Sequence, residues 1–503
     1  MGELKMMRKI VKLEQATIIY SLARRSVVLA VVLALGGCGT VDESTRSDVD
    51  LGDATSETDA SRDAGEADVS PDMVEEENVE LLTEAQVERF ERLVANEGHP
   101  TIVVGVIEGD ATRVYGFGTR ETGEAPDGAT LYEIGSVTKT FTGLLLAQAV
   151  ESAEFSLNAP VQDLLPDFQI PTRNGKEITL EMLATHHSGL PRMPSGVSAA
   201  DPSGYDSVKL NGFLENHTLT RDPGASYEYS NLGFGLLGYA LGAHAGVGYK
   251  AAVEREIIEP LGLTSTYTSG VDAPSERLEP GYTGAGVLAS NLEFQALAGA
   301  GSIVSGADDL LTYLRANMGM TDSSLNPAMQ LALQARVDIT GPNDRIGLAW
   351  KTNSVQGHDM MWHSGVTNGY TTFVGFLSDG SYGLVILTNI AKPLDTMGIT
   401  MLLEGVAGDD DTIELSVEEL DEYVGKYSLS AQMKITIFRE GSDLMAQATG
   451  QGAFPIYASA KDKFFARIAP IEITFERDAE ERVDGLILHQ NGENHPAPRM
   501  PEE

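Results

Sequence analysis

Ser136 and Lys139 stand three residues apart in Ser-Val-Thr-Lys, the one Ser-x-x-Lys in the chain. On a helix, positions i and i+3 share a face, so the amine can reach the hydroxyl. A serine hydroxyl is a weak nucleophile until a neighbour takes its proton. A lysine desolvated on an apolar helix has its pKa lowered enough to do so. Taken alone, this spacing is what chance also supplies. Tyr229 and Asn231 flank Ser230, downstream of the turn Asp222-Pro223-Gly224. A loop-borne phenol and carboxamide can relay a proton and hold a substrate amide, or they can simply punctuate a turn. His363 and Gly365 flank Ser364, just after Trp362. A strand-edge imidazole can bind a substrate carboxylate or help protonate a leaving group, with a nearby backbone N–H serving an oxyanion. The plainer reading is a partly exposed histidine at a turn.

Such chemistry requires elements that hold these groups together. Residues 131–134 read as a strand leading into Gly135-Ser136, and residues 137–150 are apolar nearly all round, which marks a buried helix. Residues 233–245 form a second apolar, glycine-rich helix candidate. Upstream, Thr83 can cap a helix carrying Val87, Phe90, Leu93 and Val94 at helical spacing. Strand-like runs at 102–108 and 112–118 meet at Gly109-Asp110, a hairpin signal. Residues 373–376 and 382–387 also read as strands. Strands at both ends with helices between predict an α+β body whose first and last strands share an antiparallel sheet flanked by helices. From about residue 413 short strands recur at 434–439, 444–448, 464–468, 471–475 and 486–489, which predicts a small all-β domain.

Three motifs in this order, Ser136-x-x-Lys139, Tyr229-x-Asn231 and His363-x-Gly365, are no longer independent coincidences. The text around them is LYEIGSVTKTFTG, THHSGLP, DPGASYEYSNLGFGLLGYAL and MWHSGVTNGY. Over about residues 84 to 400 the chain resembles the serine β-lactamase/penicillin-binding protein superfamily, in the branch of class C β-lactamases, D,D-carboxypeptidases, D-aminopeptidases and esterases; Ser-x-x-Lys is one of its signatures. The resemblance implies that Ser136 is acylated, that Lys139 takes its proton, and that Tyr229 relays that proton to the leaving group. It implies Asn231 on the acyl-side amide of the substrate, and an oxyanion hole of the Ser136 and Val366 N–H groups. It implies a substrate-side role for His363 and Gly365, and no cofactor or metal. Penicillin-recognising members carry lysine where His363 stands. A histidine near its ordinary pKa of ~6.5 is mostly neutral at pH 7 and offers no permanent charge. His-x-Gly is more typical of D-aminopeptidase-like and esterase-like members, so the implied substrate is a small ester or a D-amino-acid or cell-wall-related peptide. Residues 415–495 are similar to the lipocalin-like β domain that some of these hydrolases carry.

Charge and the N-terminus add a setting. Against 35 Lys+Arg stand 74 Asp+Glu, a formal net charge of −39. That excludes binding to bare nucleic acid, whose phosphates need a basic surface. A basic stretch, then SVVLAVVLAL, then Leu35-Gly36-Gly37-Cys38 read as an export signal. The LGGC ending resembles a bacterial lipobox, with Cys38 lipidated and anchoring the chain to a cell-envelope membrane, by default the outer membrane. Translation from Met6 or Met7 would give a signal of more usual length. Residues 41–80 hold 15 acidic and 2 basic residues and no aromatics, a composition that cannot bury enough apolar surface to order itself. The expected organisation is signal 1–38, acidic tether 39–80, hydrolase domain 81–410 and β domain 413–503. No Gly-x-Ser-x-Gly elbow is present, which argues against an α/β-hydrolase. A catalytically idle envelope-binding protein with the same fold is the other reading. Neither motif nor composition sets an oligomeric state.

Overall fold

The computed structural model describes residues 80–198, 202–355, 357–405, 412–469, 471–490 and 493–501. The expected signal, Cys38 and the acidic tether lie outside them. Helix α1 (Glu84–Glu97) starts where Thr83 and Gln86 form a reciprocal capping box and stops at left-handed Gly98. Strands β1 (Thr101–Glu108) and β2 (Ala111–Gly118) follow as a hairpin, with Gly109 at φ +54° in the turn. Helices α2 (Thr138–Glu151), α3 (Asn231–His244) and α4 (Ala307–Asn317) occupy the middle of the chain. Strands β3 (Val337–Gly341), β4 (Asp344–Ile346), β5 (Lys351–Val355), β6 (His358–Val366), β7 (Thr371–Leu377) and β8 (Tyr382–Thr388) come next, then α5 (Asp395–Glu404). The eight strands form one antiparallel sheet in the order β2-β1-β8-β7-β6-β5-β4-β3. The first and last strands of the body therefore pair, with Val104 opposite Ile386.

The pleat assigns alternate residues to two cores. Val103, Ile107, Val374 and Val385 join the core beneath α2, α3 and α4, whereas Ile102, Val104, Val106 and Ile386 join the one beneath α1 and α5. Being covered on both faces is why β1, β7 and β8 read as unbroken apolar runs.

The β domain follows short helix α6 (Val417–Asp421). It is a meander of β9 (Gly425–Ser428), β10 (Lys434–Glu440), β11 (Asp443–Ala448), β12 (Phe454–Ala460), β13 (Lys463–Ala466), β14 (Ile471–Arg477), β15 (Val483–Gln490) and β16 (Glu493–Pro498). Each strand pairs with the next, and a bridge between Tyr427 and Arg499 brings the first and last together into a nearly closed barrel. Sequence periodicity finds five of these strands and passes over β9, β12 and β16. Strand β9 is short, and the other two carry prolines at 455, 496 and 498, which a ladder tolerates only where few of its N–H groups are needed. The barrel packs on the α1/α5 side of the sheet. There Glu404 accepts from Gln86 (2.8 Å), Arg89 (3.1 Å) and Tyr457, and Arg89 also meets Asp443 (3.2 Å).

Candidate active site

Ser136 lies in a single 3-10 turn, Gly135–Val137, that runs straight into α2. From Thr130 to Ala147 it is the only residue that is not buried, so the chain presents one hydroxyl at the bottom of an otherwise dry wall. Lys139, fully buried one helical turn on, donates to Ser136 Oγ at 3.0 Å and to the Ala300 carbonyl at 2.6 Å. Burial pushes the Lys139 ammonium well below the ordinary lysine range, and the charges of Arg192 and Lys351 push it the same way. Tyr229 Oη donates to the same Oγ at 2.8 Å. One oxygen thus faces an amine and a phenol together.

The Tyr229 loop is built from the THHSGLPR segment. His186 holds a left-handed backbone (φ +61°), and its carbonyl accepts from Glu228 N at 2.9 Å. His186 Nδ1 accepts from Ser230 N at 3.0 Å, and its ring lies 4.3 Å from the Tyr229 ring, centre to centre. Ser230 Oγ donates to the Pro191 carbonyl (2.7 Å) and accepts from Gly233 N (2.8 Å), which caps α3. Asn231 is the first residue of that helix rather than part of the loop, a correction to the sequence reading. Its N–H donates to the Arg192 carbonyl at 2.9 Å. Its side-chain Nδ2 faces Met193 Sδ at 3.6 Å, and its buried Oδ1 has no partner among the described residues.

The third wall is the end of β6. His363 is 2% exposed, and its Nδ1 donates to the Ser364 carbonyl at 2.7 Å. Burial, with Lys351 and Lys139 adding to it, holds the imidazole well below its usual pKa. The ring is therefore neutral with its proton on Nδ1, which leaves Nε2 an acceptor; it too is buried and unpartnered among the described residues. Gly365 packs against the serine turn: a Cβ there would fall 1.9 Å from the Ile134 carbonyl oxygen and 3.0 Å from Ser136 N. In the turn between β6 and β7, Thr367 N donates to the Tyr370 carbonyl (3.0 Å). Ladder bonds alternate in direction, so the N–H of Val366 turns away from β7. It turns to the side of Gly135, where a Cβ would lie 3.0 Å from Val366 N.

The fold gathers Lys139, Tyr229, His363, Gly365 and Val366 about the Ser136 turn, with Asn231 two residues beyond Tyr229 at the start of α3. Three further residues belong to the setting. Glu133, three before the serine, is 5% exposed and accepts from Leu292 N at 2.9 Å, and burial raises its carboxyl to about 7. His186 lies inside a sequence run that already stood out, but its part needs the long-range contact with Ser230. Arg192 places its guanidinium 4.9 Å from the centre of the Tyr229 ring. No periodicity distinguishes it from any loop arginine.

Residues 87–404 match the family described as Beta-lactamase, and residues 409–498 match a domain of unknown function, DUF3471. The D-alanyl-D-alanine-carboxypeptidase/endopeptidase AmpH of Escherichia coli is 29% identical over 282 residues, 52% of this chain and 72% of its own length. The unguisins hydrolase ungD' of Aspergillus campestris is 27% identical over 334 residues, 60% of this chain and 61% of its own length. Among solved structures, a class C beta lactamase from Rhodobacter sphaeroides aligns with a TM-score of 0.53 at 26% identity, covering 61% of this chain and 94% of that one. A D-alanine carboxypeptidase AmpC from Burkholderia cenocepacia aligns with a TM-score of 0.53 at 25% identity, covering 62% and 96%. With a family match across most of the body, the fold of class C enzymes and this serine turn, the chain belongs to the beta-lactamase family of serine hydrolases.

Proposed function

We propose that the protein hydrolyses a small ester or a D-amino-acid or cell-wall-related peptide through an acyl-serine intermediate. The observation that carries this reading is the double contact of Ser136 Oγ, at 3.0 Å from Lys139 Nζ and 2.8 Å from Tyr229 Oη. Neutral Lys139 takes the Ser136 proton as Oγ attacks the carbonyl carbon. The carbonyl oxygen becomes an oxyanion between the N–H groups of Ser136 and Val366, a preorganised pair that needs no rearrangement during the reaction. Tyr229 passes the proton to the departing oxygen or nitrogen. Water, deprotonated by the same pair, then attacks the acyl carbon, and Ser136 recovers its proton. Asn231 holds the acyl-side amide, and His363 and Gly365 line the leaving-group side. A neutral His363 gives a β-lactam carboxylate no cation, which favours esters and peptides over β-lactams.

A fluorescent acylating probe tests this directly. Labelling of the wild type and none of Ser136→Ala is the expected result; equal labelling of both overturns it. Silence toward esters, β-lactams and D-amino-acid peptides alike would favour the idle envelope-binding protein. We further propose lipid anchoring at Cys38 in the cell envelope, at the outer membrane and facing periplasm or surface. The sequence pattern supports it, and Cys38→Ser is expected to move the protein from the membrane to the soluble fraction.

A further inference from the structure

Among the described residues the solvent-exposed Arg192 side chain has no ion pair or hydrogen bond, and its guanidinium lies 4.9 Å from the centre of the Tyr229 ring. Its backbone is also fixed: the Arg192 carbonyl accepts from both Asn231 N (2.9 Å) and Leu232 N (3.2 Å), while its neighbour Pro191 accepts from Ser230 Oγ (2.7 Å). The exposed Arg192 side chain therefore springs from the same backbone segment that sets Tyr229 and Asn231. It lies one aromatic ring away from the nucleophile, since Tyr229 Oη touches Ser136 Oγ. On the opposite wall His363 presents a lone pair rather than a charge, and Lys351 lies 4.2 Å from the centre of the Trp362 ring.

The two residues are joined through their backbones, Asn231 N to the Arg192 carbonyl. Among the described residues Asn231 Oδ1 is a buried acceptor without a donor and the Arg192 guanidinium has no acceptor. A guanidinium matches a carboxylate in shape as well as charge, with two parallel N–H···O bonds. We infer that Arg192 is a specificity-determining residue for substrates whose acyl half carries a carboxylate, with Asn231 Oδ1 taking an N–H of that same half. This rests on the reading above, which puts Asn231 on the acyl side.

The test uses two 4-nitrophenyl esters of glutarate, one with its far carboxylate free and one with it methyl-capped. The leaving group is the same, so only the acyl-side charge differs. The full chain is expected to favour the free acid in kcat/KM, through KM. Arg192→Gln is expected to lower the free-acid to capped ratio by about fivefold, the scale of a solvent-accessible charge pair. Arg192→Lys, which keeps the charge and loses the fork, should fall between. An unchanged ratio in Arg192→Gln overturns the inference. Binding of both esters to Ser136→Ala, with and without Arg192→Gln, reads the same preference with no turnover. Equal affinities for the two esters in Ser136→Ala with Arg192 intact also overturn it. Failure of the wild type to turn over either ester, with the binding preference intact, counts against the hydrolase reading and supports the role of Arg192.

Discussion

Gly365 on strand β6 lies so close to Ile134 that no side chain fits between them; a Cβ would stand 1.9 Å from the Ile134 carbonyl oxygen. This contact joins the end of the sheet to the turn that carries Ser136. The two proposed oxyanion donors follow it closely in sequence, Ser136 N two residues after Ile134 and Val366 N one after Gly365, so the spacing of the hole depends on a glycine.

Gly365→Ala should therefore separate the strand from the turn. We expect a loss in kcat of about 10²-fold or more, as for a lost oxyanion donor, with overpacking destabilising the fold by about 1–3 kcal/mol. Steady-state kinetics beside a thermal melt checks both, and wild-type kcat in a folded variant would refute the assignment.

Lys139→Met removes the proposed base and should cost about 10²–10⁴-fold in kcat. It should also change how stability depends on pH. Because the folded-state pKa of Lys139 is depressed, the unfolded chain holds a proton that the folded chain lacks, between that lowered value and the ordinary one of about 10.4. Wild-type stability accordingly rises with pH through that window. Melts at several alkaline pH values should show a shallower rise in the variant, and identical slopes would mean the amine is not desolvated.

Glu133 has the opposite sign. Its folded carboxyl titrates at about 7, above the ordinary carboxylate range, so the folded chain holds the extra proton between about 4.5 and 7. Stability falls as pH rises through that interval, by up to about 3 kcal/mol. Glu133→Gln keeps an acceptor for Leu292 N and loses the charge. It should be more stable than the wild type at pH 8 and level with it at pH 5. Denaturant titrations at the two pH values decide this.

Glu404 joins the barrel to the body. Burial works to raise its pKa, but Arg89 and the donors Gln86 and Tyr457 bring it below the ordinary value. Removing one member of such a buried pair leaves the other uncompensated, at about 3–5 kcal/mol. Glu404→Ala should lower the melting temperature and separate barrel melting from body melting in calorimetry. A single unshifted transition would show that the cluster does not couple the two.

What the sequence determined by itself is what is local. Ser136 and Lys139 meet because i and i+3 share a helical face, and the helix is buried because residues 137–150 are apolar all round. The caps at Thr83, the hairpin at Gly109 and the alternation of the barrel strands are equally short-range. Tertiary structure decided the rest. Tyr229 reaches a serine 93 residues away only because His186, Pro191 and Arg192 pin its loop to the start of α3. His363 reads as a titratable surface residue in sequence and becomes a neutral acceptor because neighbouring strands and helices bury it. Gly365 enters the sequence reading as the glycine of His-x-Gly with a substrate-side role, and only the fold makes it the point where sheet and serine turn touch. Charge state, hydrogen-bond polarity and close backbone approach depend on what lies across space, and residue spacing along the chain does not encode that.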